Sequence, residues 1–340
     1  MLLGKFRLAD RSLLDPPPAS LKAQFAPGFG QRVLLTVDTE EEFDWSQPFS
    51  TEGHGLGHVL RIVKFQEFCE GMGVVPTYLV DWPIATSQRA REILAPLVKA
   101  GKAEVGIQLH PWVNPPHDEE TTAHNSFAGN LPPELEREKF ARLADAIEEA
   151  FDTSPLIYRA GRYGVGPETA RMLKERGIAI DSSVRPHHDY TSQGGPDFTH
   201  HPEFPYWTDE DKRLLELPLT TRFWGMLRRQ GAIVQPLLRR FPMLGGVLNR
   251  MGLFERIPLT PEGTSKEEAL RCIDMALDDG QELLVISFHS PSLVPGHTPY
   301  VRNEDDLDDL YDWLRGVYAY FELRGVRPVT VKEIVASVQV

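Results

Sequence analysis

Asp38 and Glu40 stand two residues apart at the end of an apolar run, Val33-Leu34-Leu35-Thr36-Val37-Asp38-Thr39-Glu40-Glu41-Glu42. On a strand they share one face with Thr36, while Val37 and Thr39 take the other. Alone, Glu40 to Glu42 would read as a solvated acidic turn. Other polar residues, however, also end apolar runs: Gln108 and His110, Arg159, Asp181, and His289. Each has a structural account of its own, Arg159 with Asp181 as an ion pair and a strand-end histidine as a hydrogen-bonded polar group. Gathered on one rim they suit metal-assisted hydrolysis. In that chemistry a cation polarises a carbonyl and lowers the pKa of a water that a carboxylate deprotonates.

The elements that must position these residues alternate. Strands are expected at 33–38, 74–80, 102–110, 156–160, 178–184, 214–219, 282–289 and near 327–330. Helices are expected around 60–68, 87–100, 131–151, 167–176, 265–279, 304–324 and from Val331. Strands separated by helices imply right-handed crossovers and a parallel sheet, and about seven or eight strands are enough to close a barrel, whose chemistry sits at the strand carboxyl ends. The chain thus reads as an α/β protein, with residues 1–30 as an irregular leader and 31–340 as one barrel domain. Arg185 to Lys212, rich in His, Pro, Asp and aromatics, is too long for a mere connection and is a candidate substrate wall. At about 221–257 a helical insertion is expected. Residues 221–254 hold arginine but no Asp, Glu or Lys, which fits a lobe packed on the barrel or a basic face for weak contact with a membrane surface or an anionic glycan.

The chain has 340 residues and a formal net charge of −13, which argues against nucleic acid as its main partner. Cys69 and Cys272 lie far apart and propose neither a disulfide framework nor a thiolate zinc site. No run of about 18 apolar residues is present and the first 30 residues lack a secretory pattern, so a cytoplasmic location is expected. His54 and His58, in a loop near the carboxylates, and His117, after Pro115-Pro116, are each a possible third metal ligand. The histidine pairs at 187–188 and 200–201 belong to the long loop.

The order of motifs over roughly 33–335 resembles the polysaccharide deacetylases of carbohydrate esterase family 4, the NodB-homology enzymes. Thr36-Val37-Asp38-Thr39 is similar to the family's first motif, Glu104-Val105-Gly106-Ile107-Gln108-Leu109-His110-Pro111-Trp112 to the second, the run from Arg159 through Arg162 and Tyr163 to the third, Asp181-Ser182-Ser183 to the fourth, and Ile286-Ser287-Phe288-His289 to the fifth. The resemblance implies a distorted (β/α)7–8 barrel of the NodB type that hydrolyses a non-peptide C–N bond of a carbohydrate. It makes Asp38 the base, Arg159 its orienting partner, Asp181 the residue that holds Arg159, and His289 the acid. Thr39, Gln108 and Trp112 stand where the family has its metal-binding Asp and two His. Strand geometry then offers Glu40 and His110 as ligands of a divalent cation (zinc, manganese or cobalt). Gln108, Trp112, Arg162 and Tyr163 are the expected substrate contacts. Residues 108–116, 125–132 and 290–300 look most like the WalW branch, associated with lipopolysaccharide biosynthesis. A metal-free hydrolase of the allantoinase type and a catalytically silent glycan binder are the rival readings.

Overall fold

The computed structural model describes residues 11–44, 47–231, 234 and 253–340. The longest described strand of the sheet is β1 (Arg32–Thr39), buried along nearly its whole length. Around it run β2 (Thr77–Val80), β3 (Glu104–Leu109), β4 (Ile157–Ala160), β5 (Ile180–Asp181), β6 (Tyr206–Trp207) and β7 (Leu215–Glu216). A ribbon, β8 (Thr221–Trp224) with β9 (Glu255–Pro258), stands apart, and β10 (Leu283–His289) and β11 (Arg327–Pro328) return to β1. The nine-stranded sheet has the order β10-β1-β2-β3-β4-β5-β7-β6, with β11 also on β1. All pairings are parallel except β6 on β7. It curls into a half-barrel. Among the described residues no ladder joins β10 to β7; across that seam the Val285 amide donates to Thr220 Oγ1 at 2.8 Å.

The helices are α1 (Ile62–Gly71), α2 (Trp82–Thr86), α3 (Gln88–Lys99), α4 (Pro133–Phe151), α5 (Thr169–Arg176), α6 (Lys266–Asp278), α7 (Glu304–Leu323) and α8 (Val331–Ser337). Their starts are written in the sequence. Ser87 caps α3 through the Ala90 amide, Ser265 with Glu268 and Thr330 with Glu333 form capping boxes, and Asn303 caps α7. Each such cap contributes about 1 kcal/mol.

Odd and even residues of the strands feed two different cores. Val33, Leu35, Val37, Tyr78, Ile107 and Tyr158 point outward into the layer under the helices. Leu34, Leu79, Ile157, Leu215, Leu217 and Val285 fill the barrel interior, plugged from below by Leu21, Phe25 and Ile334. Above that plug the same inward positions turn polar: Thr36, Asp38, Gln108 and Arg159 are all buried. Alternation alone therefore carries the interior from apolar packing to chemistry within two residues.

The expected insertion at about 221–257 begins and ends as the β8–β9 ribbon, not as helix, because Thr221 to Trp224 pair antiparallel with Glu255 to Pro258. Residues 232–233 and 235–252, which carry most of the helical expectation, lie outside the described residues. The leader is irregular over 11–30 apart from a short 3-10 turn at Ala19–Leu21. Among the described residues no helix is long and apolar enough to cross a membrane.

Candidate active site

Register sets the floor of the site. Asp38 on β1 lies level with His289 on β10, and Gln108 on β3 lies level with Arg159 on β4. Asp38 and Glu40 meet Gln108, His110, Arg159 and His289 around a cavity of about 580 Å³ at the carboxyl ends of the strands.

Arg159 is fully buried and spends its whole guanidinium on this floor. It pairs with Asp38 Oδ1 and donates to Ser287 Oγ at 2.7 Å, Thr36 Oγ1 at 3.0 Å, and Ser182 through Oγ at 3.2 Å and the carbonyl at 2.8 Å. A planar cation with five fixed donors holds a carboxylate in one orientation. His289 is braced in the same way from the other side. Its Nδ1 lies 2.7 Å from Glu262 Oε2, its amide donates to Glu262 Oε1 at 3.1 Å, and its Nε2 is 3.9 Å from Asp38 Oδ2. Burial disfavours charge on this ring, but Glu262, Glu40 and Asp38 outweigh it, and the pKa rises to about 10. His289 is therefore the protonated partner at neutral pH.

His110 presents its two nitrogens to different surroundings. Nδ1 lies 3.0 Å from Glu41 Oε2, and Glu41 Oε1 accepts the Trp112 indole at 2.7 Å. Behind them Asp81 accepts the amides of Glu41 at 2.8 Å and Ile84 at 2.9 Å, capping α2. Burial pushes the Asp81 carboxyl well above its usual range. Burial works the same way on Glu41, but His110 and the hydrogen bond with Asp81 outweigh it and hold this carboxyl low. Nε2 of His110 faces Glu40 Oε2 at 3.4 Å and Gln108 Nε2 at 3.2 Å, and Gln108 Nε2 also donates to Glu40 Oε2 at 3.2 Å. Burial raises Glu40 to about 7 against the pull of His289 and His110. Gln108 Oε1 is buried and has no hydrogen-bond partner among the described residues. Gly161 permits this packing: a Cβ there would lie 2.4 Å from His110 Cδ2 and 2.6 Å from the Leu109 carbonyl.

Among the described residues, Glu41, Asp81 and His110 form a group in which one ligand atom from each lies within 4.8 Å of the others. It shares only His110 with the expected ligand pair, and Glu41 and Asp81 do not line the cavity.

Two expected residues are placed elsewhere. Asp181 does not hold Arg159: in the β4–β5 register it lies level with Tyr158 and so points to the outer face. There it accepts from Ser183 N at 3.1 Å and Ser183 Oγ at 2.7 Å. Trp112 is buried, stacked on His110 at 4.3 Å between ring centroids, and outside the cavity lining, because Glu41 pins its indole. Arg162 and Tyr163 do line the cavity, on consecutive residues with φ of 54° and 62°. Left-handed backbone at two non-glycine residues costs about 1–2 kcal/mol each and aims both side chains inward. Of the other histidines, His58 is buried between Glu42 and Ser290, His54 bonds the Ser50 carbonyl, and His117 is exposed. Sequence reasoning missed Glu262, Glu41, Asp81 and Arg185. Only Arg185 lay in a segment marked as a substrate wall.

A structure assigned as a polysaccharide deacetylase from Mycobacterium smegmatis superposes with a TM-score of 0.52, at 16% identity, over 95% of this chain and 94% of the other. The fold is the NodB-type (β/α) barrel. Structures assigned as a polysaccharide deacetylase from Pseudomonas aeruginosa PAO1 (17% identity, 91% of each chain, TM-score 0.48) and as Puue allantoinase (15%, 91% of each, 0.47) are also similar. No protein-family model and no curated protein matches the sequence. In this NodB-type barrel, the first, third and fifth motif-like segments converge on one cavity floor through Asp38, Arg159 and His289. The second contributes Gln108 and His110.

Proposed function

We propose that the chain hydrolyses a C–N bond of an N-acyl sugar or glycan precursor, a deacetylase-like reaction. The observation that carries this reading is the Asp38–His289 pair, 3.9 Å apart and braced from opposite sides by Arg159 and Glu262. Asp38 takes a proton from the attacking water, the new C–O bond forms at the amide carbon, and protonated His289 delivers a proton to the nitrogen as the C–N bond breaks. The products are a carboxylic acid and a free amine. Arg159 keeps Asp38 aimed, and Glu262 keeps His289 charged.

Glu40, His110 and Gln108 fit a divalent cation. The two ends of a carboxamide exchange by rotation of its last torsion. That rotation brings the unpartnered Gln108 carbonyl to the place now 3.2 Å from both Glu40 Oε2 and His110 Nε2, atoms themselves 3.4 Å apart. Such edges match ligands at about 2.0–2.2 Å from one ion. When bound, zinc, manganese or cobalt would supply Lewis-acid polarisation of the amide carbonyl. The metal-free alternative rests on the residues at the family's ligand positions, since Thr39 Oγ1 bonds the Val37 carbonyl and Trp112 bonds Glu41. Elemental analysis of protein purified without chelator separates the two. A sugar precursor of lipopolysaccharide is the substrate class to which the WalW-like segments point.

The test is turnover of a panel of N-acetylated sugars by wild type and Asp38→Asn, with thermal melts to confirm folding. A loss on the order of 10²–10⁴ is expected. Asp38→Asn retaining more than about one tenth of the rate would remove the base assignment.

A further inference from the structure

The cavity has a second wall that the hydrolytic floor does not use. Arg185, from the loop after β5, and Arg162, from the turn after β4, both line it and both are half-buried. Arg185 donates to Tyr190 Oη at 3.2 Å and lies 5.3 Å from the Tyr163 ring centroid. Arg162 is held between Phe127 at 4.1 Å and Phe49 at 5.1 Å, and donates to Ser126 Oγ and Gln193 Oε1, each at 2.5 Å, and to the Ala123 carbonyl at 3.3 Å. Every one of these partners is neutral. Among the described residues neither guanidinium has a carboxylate within ion-pair distance.

Four buried cations elsewhere in this protein are paired with carboxylates. Lys139 pairs with Glu119, Lys174 with Asp209, Arg222 with Glu203 and Arg159 with Asp38. The chain carries 49 acidic and 36 basic residues, so carboxylates are not scarce. Glu262 lines an annex of about 60 Å³ beside Arg185. Its oxygens, however, already accept from the His289 amide, His289 Nδ1 and Ser292 Oγ. Aromatic faces and neutral acceptors orient two guanidiniums toward the cavity without neutralising them, which is how a site is built for an oxyanion supplied by the ligand.

We infer that the substrate is an anionic amide: a carboxylate or phosphate on the sugar is held by Arg185 and Arg162 while the C–N bond lies over Asp38 and His289. This rests on the hydrolase reading for the role of the floor, but the subsite itself is tested by binding alone. The probes are N-acetylglucosamine, N-acetylmuramic acid and N-acetylglucosamine 6-phosphate, matched in amide and ring and differing in charge. They are titrated calorimetrically into wild type, Arg185→Gln, Arg185→Lys and Arg162→Gln, with melts to confirm folding. At least one anionic probe is expected to bind about tenfold or more tightly than the neutral sugar, a preference that weakens with salt. Which one it is separates carboxylate from phosphate. Arg185→Gln should abolish the preference, Arg162→Gln should reduce it, and Arg185→Lys should restore part of it. Equal affinity for charged and neutral probes, failure of both anionic probes to bind, or an unchanged preference in Arg185→Gln would overturn the inference. Anion preference without turnover would instead keep the subsite and remove the hydrolase. Turnover of neutral sugars without anion preference would do the reverse.

Discussion

The two sides of the His110 ring carry the same kinds of residue and do different things. On the Nδ1 side, Glu41, Asp81 and Trp112 are buried away from the cavity and satisfy one another's hydrogen bonds. On the Nε2 side, Glu40 and Gln108 face the cavity, Glu40 is raised to about 7, and the Gln108 carbonyl has no partner among the described residues. Both sides are nearly dry, so burial does not distinguish structural from functional polar groups here. Completeness of partnering does: a closed network rigidifies, whereas an open one keeps capacity for a ligand.

Breaking the closed side should have the largest effect. Glu41→Ala leaves the His110 and Trp112 donors buried without an acceptor, and urea unfolding should show a loss of about 3 kcal/mol, against under about 1 kcal/mol for Glu40→Gln. Equal losses would erase the distinction. Metal titration is the next contrast. Zinc or manganese affinity should fall about tenfold, or ~1.4 kcal/mol, in Glu40→Gln and in His110→Ala, and stay unchanged in Asp81→Asn. A loss confined to Asp81→Asn would move the ion to the Nδ1 side.

The smallest effect is on pH dependence. In chelator, Glu40 has a folded pKa of about 7 against an unfolded value of about 4.3. The folded state therefore binds more protons, and this contribution to stability is complete below the unfolded pKa and lost as pH rises through about 7. Glu41, held low, has the opposite sign, its contribution present at neutral pH and lost on acidification. Glu40→Gln should flatten the alkaline-going decline by on the order of 1 kcal/mol, read from melts across that window. A steeper decline in the variant would contradict the assignment.

Much of this was legible from residue order. The strand–helix alternation placed Asp38, Gln108, Arg159 and His289 on one rim because period-two alternation and parallel register are local rules. The failures have a common cause. Asp181 was assigned to Arg159 on motif order, but its side points outward once the register with Tyr158 is known. Glu262 braces His289 from the loop after β9, and Asp81 reaches Glu41 from the cap of α2, contacts that no sequence spacing encodes. Glu41 looked like one more residue of an acidic turn. Trp112 is an expected substrate contact, and its indole instead closes the hydrogen bonding of Glu41.

The most direct test needs no substrate. Nitrogen NMR of imidazole-labelled protein in chelator, with His289→Gln for assignment, reads the proton on which the proposed acid step depends. His289 should remain doubly protonated well above neutrality and titrate near pH 10, and Glu262→Gln should lower that midpoint by about one unit or more. A midpoint at the ordinary histidine value of about 6.5 in wild type, or no change in Glu262→Gln, would contradict the reading of Asp38 and His289 as a base and acid pair.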